Sequence, residues 1–434
     1  MLGFGAILAF IALAAGHNGQ AGFAQAPCTV MVSAGSPIQA AIDSASAGAV
    51  ICVEAGSYSE NLTIRNKQDL TLQGAGRDNV TLDGSAGIAT KKAAIAIEKS
   101  EKITIQGFKI VNSRRAIDAL NTKQLIVTDN RFEKNLRQSL LLDASEAELR
   151  NNLVLNTQKD IDGENGIGIQ TFNSVFALDN VTVSGSAAEG ISAQGDPSEL
   201  GSTLTIQKCT FTNNGRAIAL TSHSKATIRQ STITDNGDLA GIALYESATA
   251  TIEDNTILRN GYAGVFAQDS TDVVVTHNRI AENKSARDKK EGGGVVLRDN
   301  SHATIRDNTI SGNAQFGVAM FHRSQATLVN NTIAENASRG INLAGSAQAT
   351  IQENTIARNQ ADGVLLLESA QATIQKNAFA DNNSPGISMR NNSRATIEEN
   401  LITGNIFAGM HLAEASEAMI IKNEIKSNRA DSQA

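Results

Sequence analysis

The chain has 434 residues, 37 Lys and Arg against 44 Asp and Glu, and a net charge of −7 with the two signs interspersed. No basic stripe exists, which argues against a nucleic-acid partner. Hydrophobic residues make up 41% but aromatics only 4%, without Trp and with four Pro, so the core must be built of Ile, Leu, Val and Ala, side chains suited to thin stacked layers.

Residues 1–26 read as a secretory signal peptide, with an apolar run from Leu2 to Ala15 and small residues at Ala24 and Ala26 before the cut. The run is too short to cross a membrane comfortably, so the expected location is secreted or periplasmic, without an integral membrane span. Cys28 and Cys52 then fall in the strand-like runs CTVMV and VICVE. In an exported chain they are expected to form a disulfide, closing a loop worth about 3 kcal/mol on the chain-entropy estimate. Between them, Ser36 and Pro37 read as N-cap and first residue of a helix whose Ile38, Ala41, Ile42 and Ala45 form an apolar stripe. Residues 27–58 are thus expected to be an N-terminal strand and capping helix.

From residue 59 to 428 the chain repeats. Gly317, Gly340, Gly363, Gly386 and Gly409 are 23 residues apart, and the same step carries Ile351, Ile374, Ile397 and Ile420. Two Asn columns share it: Asn331, Asn354, Asn377, Asn400 and Asn423, then Asn336, Asn359, Asn382, Asn405 and Asn428. One unit, Gly340 to Asp362, alternates apolar and polar residues in three short runs: Ile341 and Leu343, Ala349 and Ile351, then Ile356. Period-two alternation means strands. No helical stripe intervenes, so each unit is a three-strand coil that can bury its apolar residues only against the coils above and below. The expected fold is an all-β right-handed parallel β-helix of about 16 coils, the hand following from parallel crossovers. Asn354 is expected at a sharp corner that favours a residue tolerating the left-handed region and hydrogen-bonding the backbone locally, and stacked Asn side chains can also bond one another down the column. A leucine-rich repeat is excluded, because Ser346 stands where that motif needs Leu and no helix follows the strand. Cys209 takes a repeat position otherwise held by Asn or Ser and reads as a buried free thiol. Residues 429–434 form a polar tail without a capping helix.

These units resemble the parallel β-helix repeat of the pectin-lyase-like superfamily, and the opening SPIQAAIDSASAGAVICVEAGSYSENLTI is similar to the start of many bacterial members. In catalytic members the resemblance implies a cleft along the outer face of the first strand, walled by long turns. Three turns are lengthened: TQKDIDGENG, GDPSELGS after Gly190, and the insert from Lys284 to Gly293, where the gap from Gly264 to Gly294 is 30 residues. Beside that insert the first-strand register predicts two outward columns. Tyr245, Gln268, Arg298 and Phe321 form one, and Glu246, Asp269, Asp299 and His322 the other. Stacked strands lie about 4.8 Å apart, so three carboxylates would stand within reach of one another, of Arg298 and of His322. Such a group can bind Ca²⁺ or raise one carboxyl for acid catalysis. The second column also holds Asn121, Asn173, Ser222, Gly345 and Asn391, which is equally a turn position that takes small polar residues.

Lys284, Arg287, Lys289 and Lys290 of the insert concentrate positive charge and, with Tyr245, Gln268 and Phe321, are the candidate substrate-binding residues. Glu246, Asp269, Arg298, Asp299 and His322 are the candidate catalytic residues. Asp160, Asp162 and Glu164 have the alternating oxygens of a calcium loop without its remaining ligands. No cofactor is required by the sequence, and Ca²⁺ is the ion these groups would suit. The six His lack zinc or copper spacing, so any likeness to copper-maturation β-helix proteins is one of fold. The adjacent Asp pair and G-H-G of polygalacturonases, the D-P-H of alginate epimerases and the R-x-P-x-x-R of pectate lyases are all missing, so no named activity follows. A regular rank of Thr304, Thr327, Thr350, Thr373 and Thr396 faces outward on the second strand. It lacks the paired rank expected of an ice-binding surface. Two functions are expected. One is an exported protein that binds and modifies an anionic polysaccharide or cell-surface glycan as a lyase, hydrolase or epimerase; the other is a non-catalytic surface or periplasmic scaffold.

Overall fold

The computed structural model describes residues 27–196, 201–237, 239–285 and 291–429. The expected signal peptide and Arg287, Lys289 and Lys290 lie outside the described residues.

The unit from Gly340 to Asp362 forms strands Ile341–Leu343, Gln348–Gln352 and Thr355–Ala357. Each lies parallel to its counterpart one coil on, with Ile341 opposite Val364, Ile351 opposite Ile374 and Ile356 opposite Phe379. First, second and third strands build sheets of 15, 17 and 16 strands around a right-handed β-helix. The stack is slightly longer than the repeat indicates. Val30–Val32 and Val50–Val53 join the second-strand sheet, and Gly56–Tyr58 joins the third, so part of segment 27–58 belongs to the stack.

Apolar columns fill the interior, and Ile351, Ile374 and Ile397 are each fully buried. Full burial of one such side chain contributes roughly 1.5–3 kcal/mol. The glycine column has a steric cause. A Cβ on Gly340 would stand 2.7 Å from the carbonyl oxygen of Gly363 and 2.7 Å from Cγ2 of Ile356, so only glycine lets successive coils approach there.

The corners carry the expected stack of Asn side chains but place the left-handed backbone one residue earlier. Left-handed backbone belongs to the residue before each ladder Asn: Glu353 has φ 57° and Arg358 has φ 52°. Asn354 and Asn359 are buried and hydrogen-bond to the next coil. The corner therefore needs Asn for its amide, which serves peptide groups on neighbouring coils. A Ser/Thr ladder not anticipated from the sequence lines the corner after the first strand, where Ser145 N–H donates to Ser174 Oγ at 3.0 Å and Ser174 N–H to Ser202 Oγ at 3.2 Å.

At the N-terminal end, helix Ile38–Ser44 buries Ile38 and Ile42 over the open stack. Its cap also differs from expectation. Pro37 is the N-cap residue and Ser36 plays no capping part; instead the Glu60 carboxylate accepts the N–H groups of Ile38 at 2.9 Å and Gln39 at 3.2 Å. An anion there offsets the unpaired amides of the first turn. At the other end of the described stack, Ile420 and Ile425 are 51% and 48% exposed.

Candidate functional site

The outer face of the first-strand sheet divides into two zones, because the outward residues change character along the stack while the inward ones do not.

The zone from residue 240 to 321 is apolar. Ala243, Phe266, Val296 and Ala319 follow one another in register on the outer side, yet all are buried. With Ala240, Ala263 and Phe316 they form a second apolar cluster, against which Tyr245, Tyr262 and Phe321 pack. The rings of Tyr245 and Phe266 lie 5.6 Å apart and those of Tyr262 and Phe266 5.5 Å apart. Three guanidiniums sit over aromatic rings: Arg216 over Tyr245, Arg298 over Phe321 and Arg339 over Phe316. The base of the insert is closed by an antiparallel bridge between Ser285 and Gly292, and Glu291 beside it pairs with Arg298 and accepts the Tyr262 hydroxyl at 3.2 Å.

Two expectations change here. Tyr245, Gln268, Arg298 and Phe321 do stack, each donating its backbone N–H to the coil before. However, Tyr245 and Phe321 are packed against the apolar cluster, and the Arg298 charge is met by Glu291. The second column is a turn. Glu246, Asp269, Asp299 and His322 have φ values of 53°, 63°, 55° and 58°, and their equivalents Asn121, Asn173, Ser222 and Asn391 are left-handed too. The expected group of three carboxylates with Arg298 and His322 does not assemble. Asp299 and His322 meet at 2.8 Å, whereas Glu246 accepts from Ser222 Oγ at 2.7 Å. The left-handed turn sets the backbone of the column, and its side chains pair with column neighbours, Glu246 with Ser222 and Asp299 with His322.

The zone from residue 115 to 216 is polar. Arg115 donates to Asp118 at 2.7 Å and to Gln138 Oε1 at 3.1 Å, and Gln138 Nε2 donates to Gln170 Oε1 at 2.6 Å. Asp118 and Gln170 share an outward column with Leu141 and Ser192, and Asp143 stands in the adjacent column with Phe172 and Gln194. Burial pushes the Asp143 carboxyl above the usual aspartate range, and the nearby Asp118 charge adds to the rise. Glu189 and Arg216 close the zone as an ion pair of 3.6 Å. Sequence reading missed this zone by following the lengthened turn at Lys284. The polar residues Asp118 and Asp143, at outward positions between the apolar Ile117 and Ala119 and after Leu142, were the available signal.

The acidic run at Asp160 borders the polar zone. Asp160 Oδ1 accepts the N–H groups of Asp162 at 3.1 Å and Glu164 at 3.0 Å, while Oδ2 faces Arg137 at 3.3 Å and Arg114 at 3.5 Å. Glu164 pairs with Arg137 at 3.0 Å. Burial opposes ionisation of Asp160, but these hydrogen bonds and the Arg137 charge outweigh it and hold the carboxyl below its ordinary range. With both oxygens engaged by donors, Asp160 serves the loop and two arginines, which is a correction to the calcium-loop reading. Among the described residues, no group of three or more His, Cys, Asp or Glu is placed to hold a metal ion. Cys28 and Cys52 form a disulfide with a Cα separation of 5.7 Å, and Cys209 is a buried free thiol. No helix among the described residues is long and apolar enough to cross a membrane.

Three protein families match parts of the chain. "Right handed beta helix region" matches residues 165–333, "Rhamnogalacturonase A/epimerase, pectate lyase-like" residues 33–243, and "Periplasmic copper-binding protein (NosD)" residues 286–433. No curated protein sequence matches the chain. Among solved structures, the periplasmic alginate epimerase AlgG is similar at 13% identity over 70% of this chain and 76% of its own, with a TM-score of 0.49. An alginate lyase from Paenibacillus sp. str. FPU-7 is similar at 14% identity over 75% of this chain and 94% of its own, TM-score 0.35. The A-module of the Azotobacter vinelandii mannuronan C-5 epimerase AlgE6 is similar at 14% identity over 91% and 95%, TM-score 0.32.

Proposed function

Because the chain is a right-handed parallel β-helix of the pectate lyase-like kind, we propose that it is an exported protein that binds an anionic polysaccharide along the outer face of its first-strand sheet and acts on it there. The observation that carries this reading is the row on that face of partly exposed Arg115, Asp118 and Asp143, backed by the buried Gln138, Gln170 and Ser192. It lies within the segment matched by the rhamnogalacturonase and epimerase family. Export is supported by the Cys28–Cys52 disulfide, since such bonds persist in oxidising compartments, and by the periplasmic description of the copper-binding family.

Each part of the row has a role in this reading. Arg115 and Arg216 offer planar donors that suit a sugar carboxylate, and the buried Gln138 and Gln170 hold Arg115 in place through a hydrogen-bonded chain. Asp143, whose proton is retained to higher pH than an ordinary aspartate's, is the group suited to deliver or remove a proton at the sugar. Lys284, Arg287, Lys289 and Lys290 are the basic residues of the insert and add long-range attraction for an anionic chain. A non-catalytic scaffold is the second reading. It is favoured by the column of Glu246, Asp269, Asp299 and His322, whose left-handed backbone is shared by Asn121, Asn173, Ser222 and Asn391 and so follows from the turn.

The test is affinity electrophoresis in gels containing alginate or polygalacturonate, followed by ultraviolet detection of unsaturated products and NMR detection of epimerised residues. Arg216→Ala should weaken retardation, whereas Asp143→Asn should keep binding and lose conversion. Retardation by neither polymer would leave the scaffold reading standing.

A further inference from the structure

The second-strand sheet carries a surface of different chemistry. Its outward central column reads Thr205, Thr227, Thr251, Val274, Thr304, Thr327, Thr350, Thr373, Thr396 and Met419 on consecutive coils. Beside it Gln325, Gln348 and Gln371 stand in register. These columns line an open trough of about 930 Å³ that runs from Asp272 to Glu417. A smaller trough of about 320 Å³, lined by Thr203, Thr227 and Thr251, meets it at Asp272 and Val274.

We propose that this trough binds a neutral polysaccharide, extended along the helix axis, independently of the first-strand face. Four features carry the inference. First, among the described residues no charged side chain lines the larger trough between His302 and Arg394, where the coils present hydroxyls and amides; at its ends Asp272 meets His302 at 3.3 Å and Arg394 pairs with Glu417 at 3.0 Å. Second, the side chains of Gln325, Gln348, Gln371 and the facing Thr residues make no hydrogen bond among the described residues, although they are exposed. Each amide offers donors and an acceptor, and each hydroxyl offers both, which is what polyhydroxylated sugar requires.

Third, the groups recur at the strand spacing of about 4.8 Å. That is comparable with the advance per ring of an extended pyranose chain, so successive sugars meet equivalent partners. Fourth, the backbone of these strands is already hydrogen-bonded within the sheet, which leaves nothing for an added polypeptide strand to pair with. Its long Gln side chains stand beside the Thr column and break any flat Thr plane, so a planar crystalline surface fits it less well than a single chain.

The experiment uses the full chain in affinity gels containing hydroxyethyl cellulose, galactomannan or a β-1,3-glucan. Two variants are compared, Gln348→Ala with Gln371→Ala, and Arg298→Ala, with thermal unfolding checked for each. All three residues lie on the outside of the stack, so the variants are expected to fold. The expected result is retardation by at least one neutral polymer that is insensitive to salt and unchanged by Arg298→Ala. The Gln pair should weaken it about tenfold, a loss of about 1.4 kcal/mol in hydrogen bonding. Retardation by none of the three polymers, or retardation unaffected by the Gln pair, overturns the proposal. Alginate binding without neutral binding supports the first-strand reading alone and also overturns this one.

Discussion

Asn331 and Asn354 are joined twice across one coil: the backbone N–H and the Nδ2 of Asn331 both donate to Oδ1 of Asn354, each at 2.9 Å. Asn354 Nδ2 in turn donates to the carbonyls of Leu328 at 2.9 Å and Gln352 at 2.9 Å and to Asn377 Oδ1 at 3.0 Å. One buried amide therefore satisfies groups on three coils. Asn354→Ala should destabilise the stack by about 1–3 kcal/mol, the cost of orphaning buried polar groups, read as a lower denaturant midpoint. An unchanged midpoint would make the ladder a consequence of the fold and not a support for it.

Gly340 should tolerate substitution far less well than Gly345. A Cβ on Gly340 meets the Gly363 carbonyl and Ile356 at 2.7 Å, in the middle of the stack. Gly345 is a left-handed turn residue with φ 76° whose equivalents His322 and Glu368 carry side chains at φ 58° and 61°, and a Cβ there would stand 3.0 Å from the His322 backbone, a milder contact than at Gly340. Gly340→Ala is expected to cost about 1–3 kcal/mol by overpacking, and Gly345→Asn less than about 0.5 kcal/mol. Equal melting temperatures for the two variants would remove the steric account of the glycine column.

Acid should release the Asp160 loop. Its carboxyl is held below the ordinary aspartate value of about 3.9 by the backbone donors and Arg137. A depressed folded-state value contributes stability that is present above the unfolded value and lost as pH falls through the folded one. Asp160→Asn should therefore be less stable than wild type by about 1–3 kcal/mol at neutral pH, with the two curves converging as pH falls through the depressed folded-state value. Melting temperatures taken across pH would test it; a gap that stayed constant into acid would mean the loop does not depend on the charge.

The three cysteines should behave in two ways. Cys28 and Cys52 are bonded, and burial pushes the Cys209 thiol up to about 12. No cysteine should react with an alkylating agent in the native protein at pH 8, because thiolate is the reactive form. One should react after unfolding without reductant, and all three after unfolding with it. Mass spectrometry counts the labels, and three labels without reductant would rule out the bond. Reducing it should cost about 3 kcal/mol.

The sequence by itself determined the coil. Each interior column needs the same side chain every 23 residues, so Ile351, Ile374 and Ile397 announce both their strand and their neighbours, and stacked coils admit only parallel pairing. The role of Asn354 was half legible: its column appears in the repeat, but that Glu353 takes the left-handed backbone while Asn354 supplies the amide is decided by how one coil's carbonyls meet the next. The outer face followed no such rule. Whether Arg298 is free or paired with Glu291, whether Tyr245 is exposed or packed on Phe266, and whether Asp143 lies close enough to Asp118 to be raised depend on side chains from different coils and on where a turn folds. Inward positions repeat because every coil meets the same neighbours. Outward positions are free to vary, so only the tertiary structure decides which of them come together.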